Sequence, residues 1–140
     1  MKTIWLPIKD WEGLYEVSNK GKVRSVRYSK KRMMTPIKHY RYNYVSVSIA
    51  LSKEGKTRHN QLSRLVAQAF IPNPLNKKEV NHIDNDAQNN KVENLEWISH
   101  YDNMQWAKKQ GRIRNAYTSR ILDLSDLKSY PHISLASVTP

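Results

Sequence analysis

Between Tyr44 and Leu51 the chain alternates strictly: Val45, Val47, Ile49 and Leu51 fall on one face, and Tyr44, Ser46 and Ser48 on the other. A period of two commits this segment to a half-buried strand. Further on the period changes. Leu62, Leu65, Val66, Ala69 and Phe70 carry the spacing of a helix with one apolar stripe. The rigid connector Ile71-Pro72-Asn73-Pro74 stops that helix. Lys53-Glu54-Gly55-Lys56 reads as a turn, with a short return strand over Thr57 to Gln61. Strands and helices of this kind in one short chain predict an α+β fold.

The residues before Tyr44 predict short strands and turns. Trp5-Leu6-Pro7-Ile8 is apolar but holds a proline, which suits an edge or entry segment. Asn19-Lys20-Gly21-Lys22 is turn chemistry, since Asn and Gly tolerate positive φ. It leads into a second strand over Val23 to Arg27. Tyr28 to Lys38 is a basic segment, expected as a loop or extended arm ending near Pro36. Trp5 and Trp11 are the expected anchors of this N-terminal part.

The connector after the helix runs into Val80-Asn81-His82-Ile83-Asp84, then Asn89-Asn90, Asn94-Leu95-Glu96-Trp97 and Asp102-Asn103. Asparagine is a poor helix and strand former, so a cluster of it normally means turns. Here the asparagines stand at set offsets from one histidine. Asn81 directly precedes His82, Asn94 lies twelve positions after it, and Asn103 nine further. His82 is expected on a strand and Asn94 at the start of the strand that returns. Trp97 is expected in the core, and Asn103 on a helix capped by Ser99, with Asp102 at its third position. Gly111 is the expected stop of that helix. Beyond it, residues 112–140 form a basic extension or tail.

Charge narrows the partners. The chain has 24 Lys and Arg against 12 Asp and Glu, a formal charge of +12 on 140 residues. Such an excess calls for an anionic partner. No apolar run approaches membrane-spanning length and the basic residues are not gathered on one amphipathic helix, so nucleic acid is favoured over a membrane. Arg24, Arg27, Lys30, Lys31 and Arg32 are the candidate phosphate contacts; the alternative for any one of them is a solvated surface. With no cysteine there is no disulfide partner, no thiolate catalysis and no Cys-type structural zinc. The N-terminus lacks the apolar core of a signal peptide, so an intracellular location is expected.

Hydrolysis of a phosphodiester needs an activated water, charge stabilisation on the phosphate, and help for the leaving oxygen. A neutral imidazole such as His82 can deprotonate the water. Asn81 and Asn103 offer oxygen donors for one hard divalent ion, magnesium first and manganese second. Spacing alone leaves open a plain alternative: His82 satisfied within an asparagine-rich turn. A calcium loop of EF-hand type is excluded, because its glycine and terminal glutamate are absent at the required offsets.

Val80-Asn81-His82-Ile83-Asp84, Asn89-Asn90, Val92-Glu93-Asn94-Leu95-Glu96-Trp97 and Asn103 closely resemble the HNH endonucleases, specifically the phage and intron-associated homing type with asparagine as the last motif residue. Leu65 to Pro74 resembles the helix and connector leading into that site. Trp5 to Val26 resembles the small DNA-binding module at the N-terminus of many such enzymes. The resemblance covers roughly residues 4–111 and implies a ββα-metal core at residues 79–110. It implies that His82 is the general base, that Asn94 fixes the loop and orients the histidine, and that Asn103 and Asn81 bind the ion. Asn81 stands where some relatives carry aspartate. Ser63 stands where many carry a histidine, with His59 as the candidate substitute. Larger relatives end in a helix-turn-helix reader, a pattern the tail after Gly111 lacks. The expected organisation is an N-terminal β-rich DNA-binding module over 1–50, a nuclease core over 51–111 and the extension 112–140. The expected protein is a monomer acting on double-stranded DNA, one strand at a time, and leaving a 5′-phosphate.

Overall fold

A computed structural model of the chain describes residues 2–109 apart from Asn43. Four short strands come first: β1 (Trp5–Pro7), β2 (Tyr15–Ser18), β3 (Val23–Ser25) and β4 (Arg32–Met33). They form one antiparallel sheet in sequence order. β1 lies at its edge, where a proline without an N–H costs no ladder bond. The second sheet is β5 (Ile37–Arg41), β6 (Tyr44–Lys53) and β7 (Lys56–Gln61), with β6 in the middle. α1 (Leu62–Phe70) follows β7 directly. The chain then makes β8 (Glu79–His82), paired antiparallel with β9 (Leu95–Ile98), and α2 (His100–Lys109). This last part is a ββα unit in an α+β molecule, as expected.

The two periodic segments are buried by each other. Val47, Ile49 and Leu51 of β6 and Leu62, Leu65 and Val66 of α1 are core residues. The same apolar cluster takes in Ile8, Trp11, Tyr15, Val17 and Val23 from the first sheet and its surroundings, and Leu95 from β9. α1 has no side-chain cap at Gln61 and no acidic residue in its first turn. Burial of its stripe therefore holds it in place of capping. α2 is different: Ser99 Oγ accepts from the Asp102 N–H at 3.1 Å, the expected N-cap.

Two features differ from the sequence expectations. The basic segment Tyr28 to Lys38 contains β4 and the start of β5, because β3 and β6 offer edges on which it pairs. Propensity gave no sign of this, since every residue of β5 is exposed. The expected module boundary at residue 50 falls inside β6, with core residues on both sides of it. Gly111 and the extension 112–140 lie outside the described residues.

Candidate active site

Glu79 and Asn81 are two apart on β8 and share one face of the pair. Glu96 of β9 lies directly opposite Asn81, and α2 meets the same face. Asn81 is 3% exposed and donates through Nδ2 to Glu96 Oε1 at 3.0 Å. Asn103 of α2 donates through Nδ2 to Glu79 Oε2. His100, exposed in the first turn of α2, reaches the other Glu79 oxygen. A carboxylate only accepts, so each amide must give its NH2 to its carboxylate and turn its oxygen elsewhere. Burial is the largest influence on both carboxyl groups. It pushes Glu96 above its ordinary value, against the opposing Asn81 hydrogen bond and the Lys77 charge. In Glu79 that upward push is overcome by hydrogen bonds from Asn103 and His100 and by the charges of His100 and Arg64, which hold the carboxyl below its ordinary value.

His82 ends β8. Its Nε2 is 2.8 Å from Asn90 Oδ1. The loop between β8 and β9 is tied by Asn94. The Asn94 amide accepts from the Asp84 N–H at 2.9 Å and donates to Asp84 Oδ1 at 2.9 Å and to the Asn89 carbonyl at 2.8 Å. Its backbone oxygen takes the Ile83 N–H at 2.8 Å. Asn89 closes the arrangement with a 2.7 Å bond to Asp84 Oδ2. Burial alone would raise the Asp84 carboxyl; the bonds from Asn89, the Asp86 N–H and Asn94, with the His82 charge, hold it below its ordinary value. Asn94 ties the loop, and an amide that meets the imidazole is that of Asn90. Asn90 was not singled out in sequence because its place depends on how the loop folds back.

Asn81, His82, Asn90 and Asn103 line one cleft of about 210 Å³. Ser63 lines it too, together with Tyr44 to Val47 at the start of β6. His59 does not; it sits on β7 with its ring 6.4 Å from that of His39. Among the described residues no three His, Cys, Asp or Glu side chains gather as a metal site. The residues that could hold an ion are Asn81 and Asn103, whose NH2 groups are each taken by a carboxylate. Hard, uncharged amide oxygens suit a divalent cation that keeps most of its other positions for water and phosphate.

The candidate phosphate contacts separate into two groups. Arg24 is bound to Glu16, at 2.8 Å through Nε and 2.7 Å through Nη2, and lies 4.1 Å from the centre of the Trp5 ring. Arg27 donates to the Ser52 carbonyl and to Tyr15 Oη. Both guanidinium groups are engaged within the protein. Lys30, Lys31 and Arg32 are exposed. Sequence reasoning missed β5, where Lys38, His39, Tyr40 and Arg41 are all exposed and border a groove with Tyr44 and Ser46. Tyr44 and Ser46 also line the active-site cleft, so the two share a wall.

Two family models match the chain. The one described as NUMOD4 motif matches residues 4–49, and the one described as HNH endonuclease matches residues 60–105. Two uncharacterized HNH endonucleases of Acanthamoeba polyphaga mimivirus, L247 and L245, are 38% identical over 108 residues and 39% identical over 92 residues. These matches take in 74% and 64% of this chain, but the chain spans only about a quarter (26%) of either viral protein. The DNA endonuclease I-HmuI of Bacillus phage SP01 is 31% identical over 124 residues, covering 89% of this chain and 68% of that protein. A solved structure of DNA binding and cleavage by the HNH homing endonuclease I-HmuI superimposes with a TM-score of 0.68. That match has 28% identity and covers 84% of this chain and 64% of the other.

Proposed function

We propose that this chain, which belongs to the HNH endonuclease family, hydrolyses phosphodiester bonds in double-stranded DNA, nicking one strand at a time with one divalent ion. The observation that carries the reading is the convergence of His82, Asn81 and Asn103 on one cleft. The phage relative supports it, being a DNA endonuclease. The ion held by the Asn81 and Asn103 oxygens would be magnesium or manganese, and it supplies positive charge to the phosphate and the leaving oxygen. His82 takes the proton of the attacking water. Asn90 holds the ring by Nε2, so Nδ1 is the nitrogen that receives that proton. The 3′-oxygen leaves and the 5′ side keeps the phosphate. Exposed basic and aromatic residues of β5, together with Lys30, Lys31 and Arg32, hold the duplex next to the cleft.

Supercoiled plasmid incubated with protein and magnesium or manganese is expected to become open-circular, and to stay supercoiled with chelator. Plasmid bound in a gel-shift assay but intact with either ion would favour a non-cleaving DNA-binding regulator, a reading that the uncharged Asn81 keeps in view.

Two further outcomes follow from the carboxylates and the basic loop. Glu96→Ala removes the acceptor that fixes the Asn81 amide through its NH2, and is expected to weaken manganese binding by roughly 10- to 100-fold in calorimetry. Unchanged affinity would show that Asn81 does not need its carboxylate. Replacing Lys30, Lys31 and Arg32 together by Ala is expected to flatten the salt dependence of duplex binding by about 0.9 in logarithmic slope for each phosphate left without its cation. An unchanged slope would make the three residues plain solvated surface.

A further inference from the structure

We propose that the turn between β2 and β3, residues 18–22, is a positioning element for His82, acting through Asn90. This rests on the reading of His82 as the base. It gives the N-terminal module a part in the active site besides any part in holding DNA.

The path from turn to histidine is short. Asn90 is 5% exposed, and its Nδ2 donates to the Ala87 carbonyl at 3.2 Å. That bond directs Oδ1 at the imidazole. An amide oxygen only accepts, so His82 Nε2 must carry the hydrogen, and in the neutral ring Nδ1 is then the basic atom. The tautomer needed for catalysis is therefore set by the placement of Asn90. The loop that carries Asn90 has little regular structure of its own. Besides the ties of Asn94 and Asp84, it is supported from the other end of the chain. Gly21 packs on the Asn90 backbone so closely that a Cβ there would lie 2.7 Å from the Asn90 carbonyl oxygen, 2.9 Å from its carbon and 3.1 Å from its Cβ. Two residues along, the Val92 N–H donates to the Asn19 carbonyl at 3.0 Å.

The turn itself is firmly held. The Asn19 side chain accepts from the Ile4 N–H at 2.9 Å and donates to the Lys2 carbonyl at 3.1 Å. Ser18 Oγ accepts from the N–H groups of Lys20 and Lys22. The nearest atoms to Gly21 are backbone atoms, which cannot swing away like the end of a long side chain. Any residue larger than glycine at position 21 must move either the turn or Asn90.

The test compares two glycines. Gly21 has φ +78 and Gly13 has φ +79, so an alanine at either carries the same backbone strain. Around Gly13 an added Cβ meets nothing within 4 Å, so only G21A adds the push on Asn90. In metal-free, 15N-labelled protein at fixed pH, long-range proton–nitrogen correlation reads the His82 tautomer. Wild type and G13A are expected to show hydrogen on Nε2, and G21A a mixture. On duplex DNA, G21A is expected to lose about 10- to 100-fold in kcat with KM little changed, the penalty of a base displaced by a fraction of an ångström to an ångström. If G21A folds too poorly to assay, N19A carries the same test, because it loosens the turn from Lys2 and Ile4 without adding bulk. A wild-type tautomer signal and kcat equal to that of G13A, in whichever variant folds, overturn the proposal. Cleavage by H82A at the wild-type rate would instead overturn the nuclease reading of His82, and the tautomer spectra would still show whether the turn places Asn90 on the ring.

Discussion

His82→Ala is expected to lower the rate of plasmid nicking by about two to four orders of magnitude, the usual contribution of a positioned general base, with duplex affinity little changed. The imidazole lines the cleft with Asn81 and Asn103, and its Nε2 meets Asn90 Oδ1. Its removal leaves the two amides, the loop ties of Asn94 and the exposed basic residues in place. The decisive measurement is single-turnover nicking beside a binding curve on the same duplex. A small loss of rate would place proton transfer on another group. Equal losses of rate and binding would mean that His82 supports the fold of the loop.

The second large effect concerns stability. Ile8→Ala and Leu95→Ala lie at opposite ends of the described chain, yet both side chains belong to one apolar cluster, at 2% and 5% exposure. Each is expected to cost about 2–5 kcal/mol, by lost transfer energy and the cavity left behind. For a domain of this size such a loss lowers the melting temperature by on the order of 10 °C. Because the core is shared, each variant should shift one common transition, seen alike by far-UV circular dichroism and by tryptophan fluorescence. A variant that melts the first sheet while leaving the ββα unit intact would show two separately folding bodies.

What could be read from the sequence was what periodicity and spacing report. β6 and α1 appear where the apolar residues recur at two and at three to four, because those patterns and the burial of one face are the same fact seen twice. His82, Asn81 and Asn103 stood out by their offsets and took their expected roles from the family resemblance, and all three line one cleft. What local pattern did not show shares a cause. Arg24 and Arg27 look alike to a charge count, but strand register sets Arg24 opposite Glu16, and tertiary packing brings Arg27 to Ser52. β5 has no pattern of its own and is a strand because β6 offers it an edge. Asn90 touches the imidazole because a loop folds back, and the loop folds back because Asn94 and Asp84 cinch it. Each of these depends on residues whose nearness no local pattern records.

β6 is a single strand of ten residues whose first part walls the active-site cleft and whose centre lies in the core. Shuffling between relatives by recombination therefore has a natural grain. A crossover placed at residue 50 would join half a strand from one parent to half from another and mismatch the neighbours on both faces. A crossover in the Glu54-Gly55 turn would also part β6 from β7, its partner along six residue pairs. Seams that respect the molecule lie on either side of the β5–β6–β7 sheet, so hybrid endonucleases should inherit that sheet from one parent, together with the helix it feeds.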